Sequence, residues 1–429
     1  MKDRTDLRIE IMAVGSELLT PYFQDTNSLY LTERLNDLAM EVSFKTIVGD
    51  DWDDLTQRIQ ESLNHADIII AMGGLGPTKD DKTREAFATV LERKLIFKEA
   101  LLKKIEARFK RRRLSMPQVN KRQAYIIDGA QVLENRNGTA PGLWLDRKGQ
   151  VIVLLPGPPH ELKPMFETSV WPRLQKLRKG YIARRILKTT GLTESRIESL
   201  IFDVYPKAPY LKLTTLAYPG QIEIHMTGHS KESQGQAERR VKKLEKTILS
   251  RLKDNVFSTS GEELEEVIGK LLRRNKKTLA AAESCTGGFL GHRITNVPGS
   301  SEYFTQSVVT YSNEAKTNLL NVYSDLIEKY GAVSSQVAQA MATGIKEKAQ
   351  TKYGLAITGI AGPTGGTAEK PVGLVYTALA WDKGSEVAKN LFLGNREAIK
   401  FQSSQKALDM LRRHILTTKM KNSLVKERG

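Results

Sequence analysis

Two groups of residues in this chain have types and spacing that could do chemistry. The first is Glu283-Ser284-Cys285-Thr286-Gly287-Gly288, two hydroxyls and a thiol followed by paired glycines. It comes after the apolar run Thr278-Leu279-Ala280 and before the apolar-periodic Phe289, Leu290, Arg293 and Ile294, so the pattern predicts strand, turn, helix. Free N–H groups where a helix begins can receive an anion or a developing oxyanion. Glycines let a ligand come close to the backbone. Ser284 in that turn reads as a nucleophile or as an N-cap.

Partners for Ser284 lie further on. A predicted strand, Ser307 to Tyr311, runs into Ser312-Asn313-Glu314-Ala315-Lys316. Another, Leu355 to Ile357, ends in Thr358-Gly359-Ile360-Ala361-Gly362-Pro363. Three strand ends on one sheet edge would then present Ser284, Tyr311 with Lys316, and Thr358, with Thr286, Gly287, Gly288, Gly359 and Gly362 around a substrate. A serine needs a base. Of the 6 histidines, His292 lies nearest in sequence to Ser284, but about 10 Å along a helix axis is too far for contact. A lysine can serve when burial lowers its pKa, which makes Lys316 the candidate base. Tyr311 and Thr358 could orient it or relay a proton, and the N–H groups of Gly287 and Gly288 could form an oxyanion hole. Two rivals stand beside this reading. Cys285 could be the nucleophile, though a small buried hydrophobe fits it too; or Ser284, Lys316 and Thr358 only bind a phosphate.

The second group is acidic. Predicted strands at residues 7–14, 42–48 and 67–72 end near Gly15-Ser16-Glu17, Gly49-Asp50-Asp51 and Gly73-Gly74-Leu75-Gly76-Pro77-Thr78-Lys79-Asp80-Asp81. Ligands of doubly wound sheets bind at the carboxyl ends of strands. Gly73, Gly74, Gly76 and Asp80 are therefore candidate substrate contacts. Glu17, Asp50 and Asp81 are candidate ligands of a divalent metal, Mg²⁺ or Mn²⁺ by their oxygen-only chemistry. One of Asp80 and Asp81 is expected to cap a helix over Lys82 to Glu92. The glycines match neither the dinucleotide fingerprint nor a P-loop. A later strand, Val151 to Leu155, ends in the rigid turn Pro156-Gly157-Pro158-Pro159.

These groups need alternating strands and helices, so an α/β fold is expected, with a doubly wound parallel sheet at the N-terminal end. Residues 181–256 read instead as a small α+β connector. It has a helix capped by Thr193, a hairpin around Tyr218-Pro219-Gly220, a helix over Gln236 to Leu252, and a linker from Asp254 to Gly261. With 429 residues the chain exceeds one core. Apolar content of 40% and charged content of 27% suit a globular protein. No apolar run is long enough to span a membrane, and Met1 to Asp6 lacks a signal-peptide core. The single cysteine excludes an internal disulfide and agrees with a reducing cytoplasm. A net charge of +17 favours anionic partners. It clusters in Lys103 to Arg113, Arg239 to Lys253 and the tail Lys419 to Arg428, each readable as a solvated face or frayed end.

The motifs together resemble a family. Gly15-Ser16-Glu17-Leu18-Leu19, Asp25-Thr26-Asn27-Ser28, the Gly73 to Asp81 stretch and Pro156-Gly157-Pro158-Pro159 match the N-terminal domain of CinA (competence/damage-inducible protein A) proteins. That domain is similar to MoaB- and MogA-type molybdopterin-binding proteins. The resemblance implies metal-dependent hydrolysis of ADP-ribose to AMP and ribose 5-phosphate, with acids at Asp50 and Asp81 in the site. Departures are Ser16, where Thr is commoner, and Thr20-Pro21-Tyr22-Phe23-Gln24, a loop that usually contains glycine and bears on substrate choice. The connector resembles a KH fold, without the Gly-x-x-Gly loop that clamps RNA. The Ser284, Tyr311 to Lys316 and Thr358 motifs resemble the CinA C-terminal domain, similar to stand-alone nicotinamide mononucleotide deamidases. The resemblance places the family's catalytic serine, tyrosine, lysine and threonine on Ser284, Tyr311, Lys316 and Thr358, with no cofactor. Expected domains are 1–178, 179–257 and 258–420, with a basic tail at 421–429. Expected partners are small nucleotides and a second copy of the chain, with no membrane and no nucleic acid. The alternative is a non-enzymatic nucleotide- or DNA-binding protein.

Overall fold

The computed structural model describes residues 7–178 and 180–426, the side chains of 419–426 excepted. The first six residues and the last three, part of the basic tail, lie outside it. Two units make up the chain: one runs to Ile182 and includes His229–Gln234, the other comprises Ala183–Gly228 and Gly235 onward.

In chain order the first unit contains β1 (Ile9–Val14), α1 (Thr26–Asp37), β2 (Val42–Val48), α2 (Trp52–His65), β3 (Ile68–Met72), α3 (Thr83–Val90), β4 (Leu95–Phe97), α4 (Glu99–Arg111), β5 (Tyr125–Ile127), β6 (Gln131–Leu133), β7 (Gly142–Arg147), β8 (Gln150–Leu155), α5 (Pro159–Met165) and α6 (Trp171–Leu177). β1 and β3 are apolar almost throughout because both faces are covered. Asp25 caps α1 and Asp51 caps α2. The sheet order is β2-β1-β3-β8-β7-β6. The first four strands are parallel, as expected; β7 and β6 add an antiparallel edge, so the sheet is mixed. Parallel strands bring the loops after β1, β2, β3 and β8 to one edge, where the acidic and glycine motifs lie.

The second unit continues with β9 (Tyr181–Thr189), α7 (Glu194–Ile201), β10 (Leu211–Tyr218), β11 (Gln221–Ser230), α8 (Gln234–Leu252), β12 (Val256–Ser258), α9 (Leu264–Asn275), β13 (Leu279–Glu283), α10 (Phe289–Thr295), β14 (Phe304–Val309), α11 (Asn313–Leu320), α12 (Ser324–Tyr330), α13 (Ser335–Lys348), β15 (Tyr353–Gly359), β16 (Leu374–Trp381), β17 (Gly384–Leu391) and α14 (Arg396–Lys426). The connector is the sheet β10-β11-β9-β12, with Thr193 capping α7 as expected. The following domain is the sheet β14-β13-β15-β16-β17. β14, β13 and β15 are parallel neighbours, and β16 and β17 are antiparallel. β13 alternates its side chains: Leu279 and Ala281 face the core shared with α9 and α14, Ala280 and Ala282 the core shared with α13.

The stretch Asp254 to Gly261 is not the free linker its serines and threonines suggest. β12 within it pairs with β9. Arg412 on α14 donates to the Asp254 carbonyl at 2.5 Å, and Arg413 to Asn255 Oδ1 at 3.0 Å. Buried Asp409 accepts from both guanidinium groups at 2.6 and 2.7 Å. Among the described residues no helix is long and apolar enough to cross a membrane.

Candidate active sites

The three parallel strand ends deliver the serine motif together. Ser284 follows β13, its N–H tied to the Ile357 carbonyl of β15 at 2.9 Å. Thr310 follows β14, tied to the Glu283 carbonyl at 2.7 Å. The chain then enters α11, capped by Ser312, and Lys316 one turn inside points back. Its Nζ lies 3.3 Å from Ser284 Oγ. The Thr310, Tyr311 and Ser312 carbonyls also surround it, at 3.0, 3.3 and 3.2 Å. Only 1% of Lys316 is exposed. Burial lowers its pKa from the ordinary lysine value, against a smaller upward pull from Cys285 and Glu314. A neutral amine there can donate to two carbonyls and accept the Ser284 proton on its lone pair.

The other sequence-predicted groups are placed differently. Thr358 Oγ1 donates to the Ala332 carbonyl at 2.9 Å, so its hydroxyl serves the backbone and not Lys316. Tyr311 reaches Lys316 through its carbonyl only; its exposed ring turns away, and its hydroxyl accepts from Arg396 Nη2 at 3.4 Å. The expected oxyanion hole is also displaced. The Gly287 N–H donates to the Ser284 carbonyl at 3.1 Å, and the Gly288 N–H to Glu283 Oε2, also at 3.1 Å. Both glycines hold left-handed φ of 60° and 93°, which is what the turn requires of them. Cys285 and Thr286, by contrast, donate their N–H groups to no acceptor among the described residues. The N–H after a nucleophile is a common oxyanion donor. Thr286 Oγ1 is fully buried and without a partner. Burial pushes the Cys285 thiol up to about 12, the reverse of what a thiolate nucleophile needs.

Residue reasoning missed two contributions. Glu283, wholly buried, accepts from the N–H groups of Gly288, Leu290 and Gly291 at 3.1, 2.9 and 2.8 Å, which sets the turn that carries Ser284. Arg396, at the start of α14, donates to the Gly362 carbonyl at 2.7 Å and contacts Tyr311. Lys400, one turn on, lies beside Gly287. The two cations stand at the rim of the serine site. Gly359 is packed into the sheet, where an added Cβ would meet the Leu374 carbonyl at 2.6 Å; its constraint is packing.

The acidic motifs line one cavity of about 1030 Å³ in the first unit, with Glu17, Asp50, Gly73, Gly74, Gly76, Asp80 and Asp81 all on its wall. An added Cβ on Gly73 would meet the Val14 carbonyl at 2.1 Å, so glycine here lets two strand ends touch. Asp50 accepts from the Ser16 N–H at 2.8 Å, and Asp81 from the Thr78 N–H and hydroxyl at 2.9 and 2.5 Å. Neither Asp80 nor Asp81 caps α3, whose N-cap is Lys82 without a side-chain bond. The capping expectation fails because Asp81 instead staples its own turn. Among the described residues no three Asp, Glu, His or Cys side chains converge to hold a metal. Mg²⁺ commonly takes one or two carboxylates and completes its shell with substrate phosphates and water. The donor set therefore fits a metal that arrives with a phosphate ligand, not one caged by protein alone. Sequence reasoning passed over the loop Asn135 to Ala140. Asn135 there donates to the Ala140 carbonyl at 2.8 Å and to Glu161 Oε2 at 2.6 Å, and so shapes a second wall. Gln123, also on the wall, was missed too. Nothing in the local pattern of either marks a pocket.

Comparison with known proteins follows the same division. Family models match at residues 10–176 (probable molybdopterin binding domain), 184–258 (damage-inducible protein CinA KH domain) and 261–415 (CinA C-terminal domain). A CinA-like protein of Koribacter versatilis is 46% identical over 95% of this chain and 99% of its own length. A putative competence-damage inducible protein of Acetivibrio thermocellus is 43% identical over 96% of this chain and 100% of its own. Among solved structures, the competence/damage inducible protein CihA from Agrobacterium tumefaciens shares 36% identity over 35% of this chain and 92% of its own, with a TM-score of 0.35.

Proposed function

The chain belongs to the CinA family, and from that premise we propose that its C-terminal domain is a serine–lysine amidohydrolase that deamidates nicotinamide mononucleotide. The observation that carries this reading is the buried Lys316 Nζ, 3.3 Å from Ser284 Oγ and depressed in pKa by burial. Ser284 Oγ attacks the carboxamide carbon while Lys316 takes its proton. The N–H groups of Cys285 and Thr286 receive the oxyanion. Lys316 returns the proton to the leaving nitrogen, which departs as ammonia, and water then hydrolyses the acyl-serine. The sum is amide plus water to carboxylate plus ammonia. Arg396 and Lys400 supply cations for the substrate phosphate. No step requires a metal.

The N-terminal cavity, in the same reading, hydrolyses ADP-ribose to AMP and ribose 5-phosphate. A divalent metal bound there would neutralise diphosphate charge, held by one or two of Asp50, Asp81 and Glu17 and completed by substrate oxygens and water. The Gly73-Gly74 turn admits phosphate close to the backbone. Support comes from the cavity's size and its carboxylates at strand ends, Glu17, Asp50, Asp80 and Asp81.

Ammonia release from nicotinamide mononucleotide tests the first reading, measured for wild type and Ser284→Ala, with and without EDTA. Release that survives EDTA and vanishes in the variant is expected. No release from the wild type would overturn it.

A further inference from the structure

The loop Thr20 to Gln24 puts two aromatic rings on the wall of the N-terminal cavity. Tyr22 is 92% exposed and Phe23 61%, and both line the cavity. Among the described residues neither ring stacks on another ring or on a cation, although rings elsewhere in this unit do. The loop is held at both ends. Thr20 returns its N–H and its hydroxyl to the Glu17 carbonyl at 3.1 and 2.7 Å. Asp25 caps α1 by accepting from the Ser28 N–H at 2.9 Å. Pro21 fixes a backbone angle between them. Two large rings with no protein partner, on a loop this short and pinned, are presented to something outside the fold.

The cavity gives that something its chemistry. One wall carries the Gly73-Gly74 turn with Asp50 and Asp81, suited to phosphate and metal. The Tyr22-Phe23 loop adds flat apolar faces without charge. Among the described residues the wall carries carboxylates and no basic side chain, so with a divalent cation bound to them the ligand that satisfies both is an anion with a planar ring. We propose that Tyr22 and Phe23 are the base-stacking wall of this cavity and receive the heteroaromatic ring of a nucleotide whose phosphates lie toward Gly73, Gly74 and the carboxylates. The inference rests on the ADP-ribose reading and adds to it the residues that select for the adenine end. Aromatic stacking tolerates any base, so it supplies affinity for a ring while polar neighbours choose among rings.

The test is calorimetric titration of the full-length protein with AMP and, separately, with ribose 5-phosphate, in Mg²⁺ buffer. Three proteins are compared: wild type, Tyr22→Ala/Phe23→Ala, and the ring-preserving Tyr22→Phe/Phe23→Tyr. Both positions are exposed, so the fold should survive, and C-terminal ammonia release serves as the check. Stacking predicts that the double alanine variant loses about tenfold or more in AMP affinity, keeps ribose 5-phosphate within about twofold, and that the ring-preserving variant restores AMP. AMP affinity unchanged in the alanine variant would overturn the stacking wall and leave the ADP-ribose reading standing. Equal weakening of both ligands would overturn it as well, since the loop would then act on pocket shape alone. A wild type that binds neither AMP nor ribose 5-phosphate would overturn the underlying reading.

Discussion

The two candidate sites of this CinA-family chain differ in how much of their chemistry is already assembled. The serine site is closed and wired. Nucleophile and base are in contact, the base is buried, and the turn carrying the nucleophile is fixed by the Glu283 carboxylate. The acidic cavity is open. Among the described residues its carboxylates share a wall without converging on a point, and its exposed rings meet no other ring or cation. The contrast matches what each proposed reaction would have to supply. Activating a hydroxyl needs a desolvated base, which the protein has to build before substrate arrives. Splitting a diphosphate needs charge neutralisation, much of which a metal and the substrate's own oxygens bring with them. A site of the first kind is readable from protein geometry alone; the second is completed by its ligand.

Six substitutions at five positions press on that contrast, and the largest effect is expected from Ser284→Ala. It should lower ammonia release by about a thousandfold or more and leave ADP-ribose turnover untouched; loss of both activities would break the claim that the sites are separate. Lys316→Met should be nearly as damaging, and Lys316→Arg should fail at every pH because a guanidinium does not deprotonate. The pH profile follows from the same group. The neutral amine is the active form, so wild-type deamidation should rise with pH through the Lys316 pKa. Burial lowers that pKa, so the rise should come at lower pH than a free lysine titrates; a rise tracking free lysine would remove Lys316 as the base. Asp81→Asn should cut metal-dependent ADP-ribose turnover by about a hundredfold, with deamidation unaffected. A flat response to metal titration in the wild type would end the metal assignment. Glu283→Gln replaces one of the two accepting oxygens with an NH2 donor, leaving at least one of the three N–H groups facing a donor, at a cost of about 1–3 kcal/mol; a lowered melting temperature with a reduced kcat is expected. Smallest is Cys285→Ala, expected to stay within a few-fold of wild type because the thiol is held neutral by burial. Abolished deamidation there would exchange one nucleophile for the other.

How much of this was legible in the sequence depends on the range of the interaction. Strands with both faces buried, such as Ile68–Met72, announce themselves as apolar runs. The strands at Gln131–Leu133 and Gly384–Leu391 escaped notice. The first is three residues long, and the second alternates in exposure along a sheet edge. Ser284 and Lys316 were legible as a pair because both sit just past strand ends that a parallel sheet must bring together. The bond made by the Thr358 hydroxyl was not legible. Its strand end is adjacent, but the Ala332 carbonyl that holds it comes from a loop no local pattern predicts. Arg396 and Lys400 look like any surface cations of a helix, and only the return of α14 across the sheet puts them beside Tyr311 and Gly287. In the N-terminal cavity residue type identified the acids, but not that Asp81 would spend one oxygen on Thr78.

The grip of Arg412 on the Asp254 carbonyl has a consequence for how the protein could be divided. A stretch rich in serine and threonine looks like the place to cut, for a protease or for a gene losing its first half. Severing the chain after Phe257 would leave the Arg412 guanidinium, 3% exposed, without the carbonyls of Asp254 and Val256. It would also strip β12 from its sheet. A C-terminal domain cut free there would carry a buried guanidinium with Asp409 as its remaining acceptor.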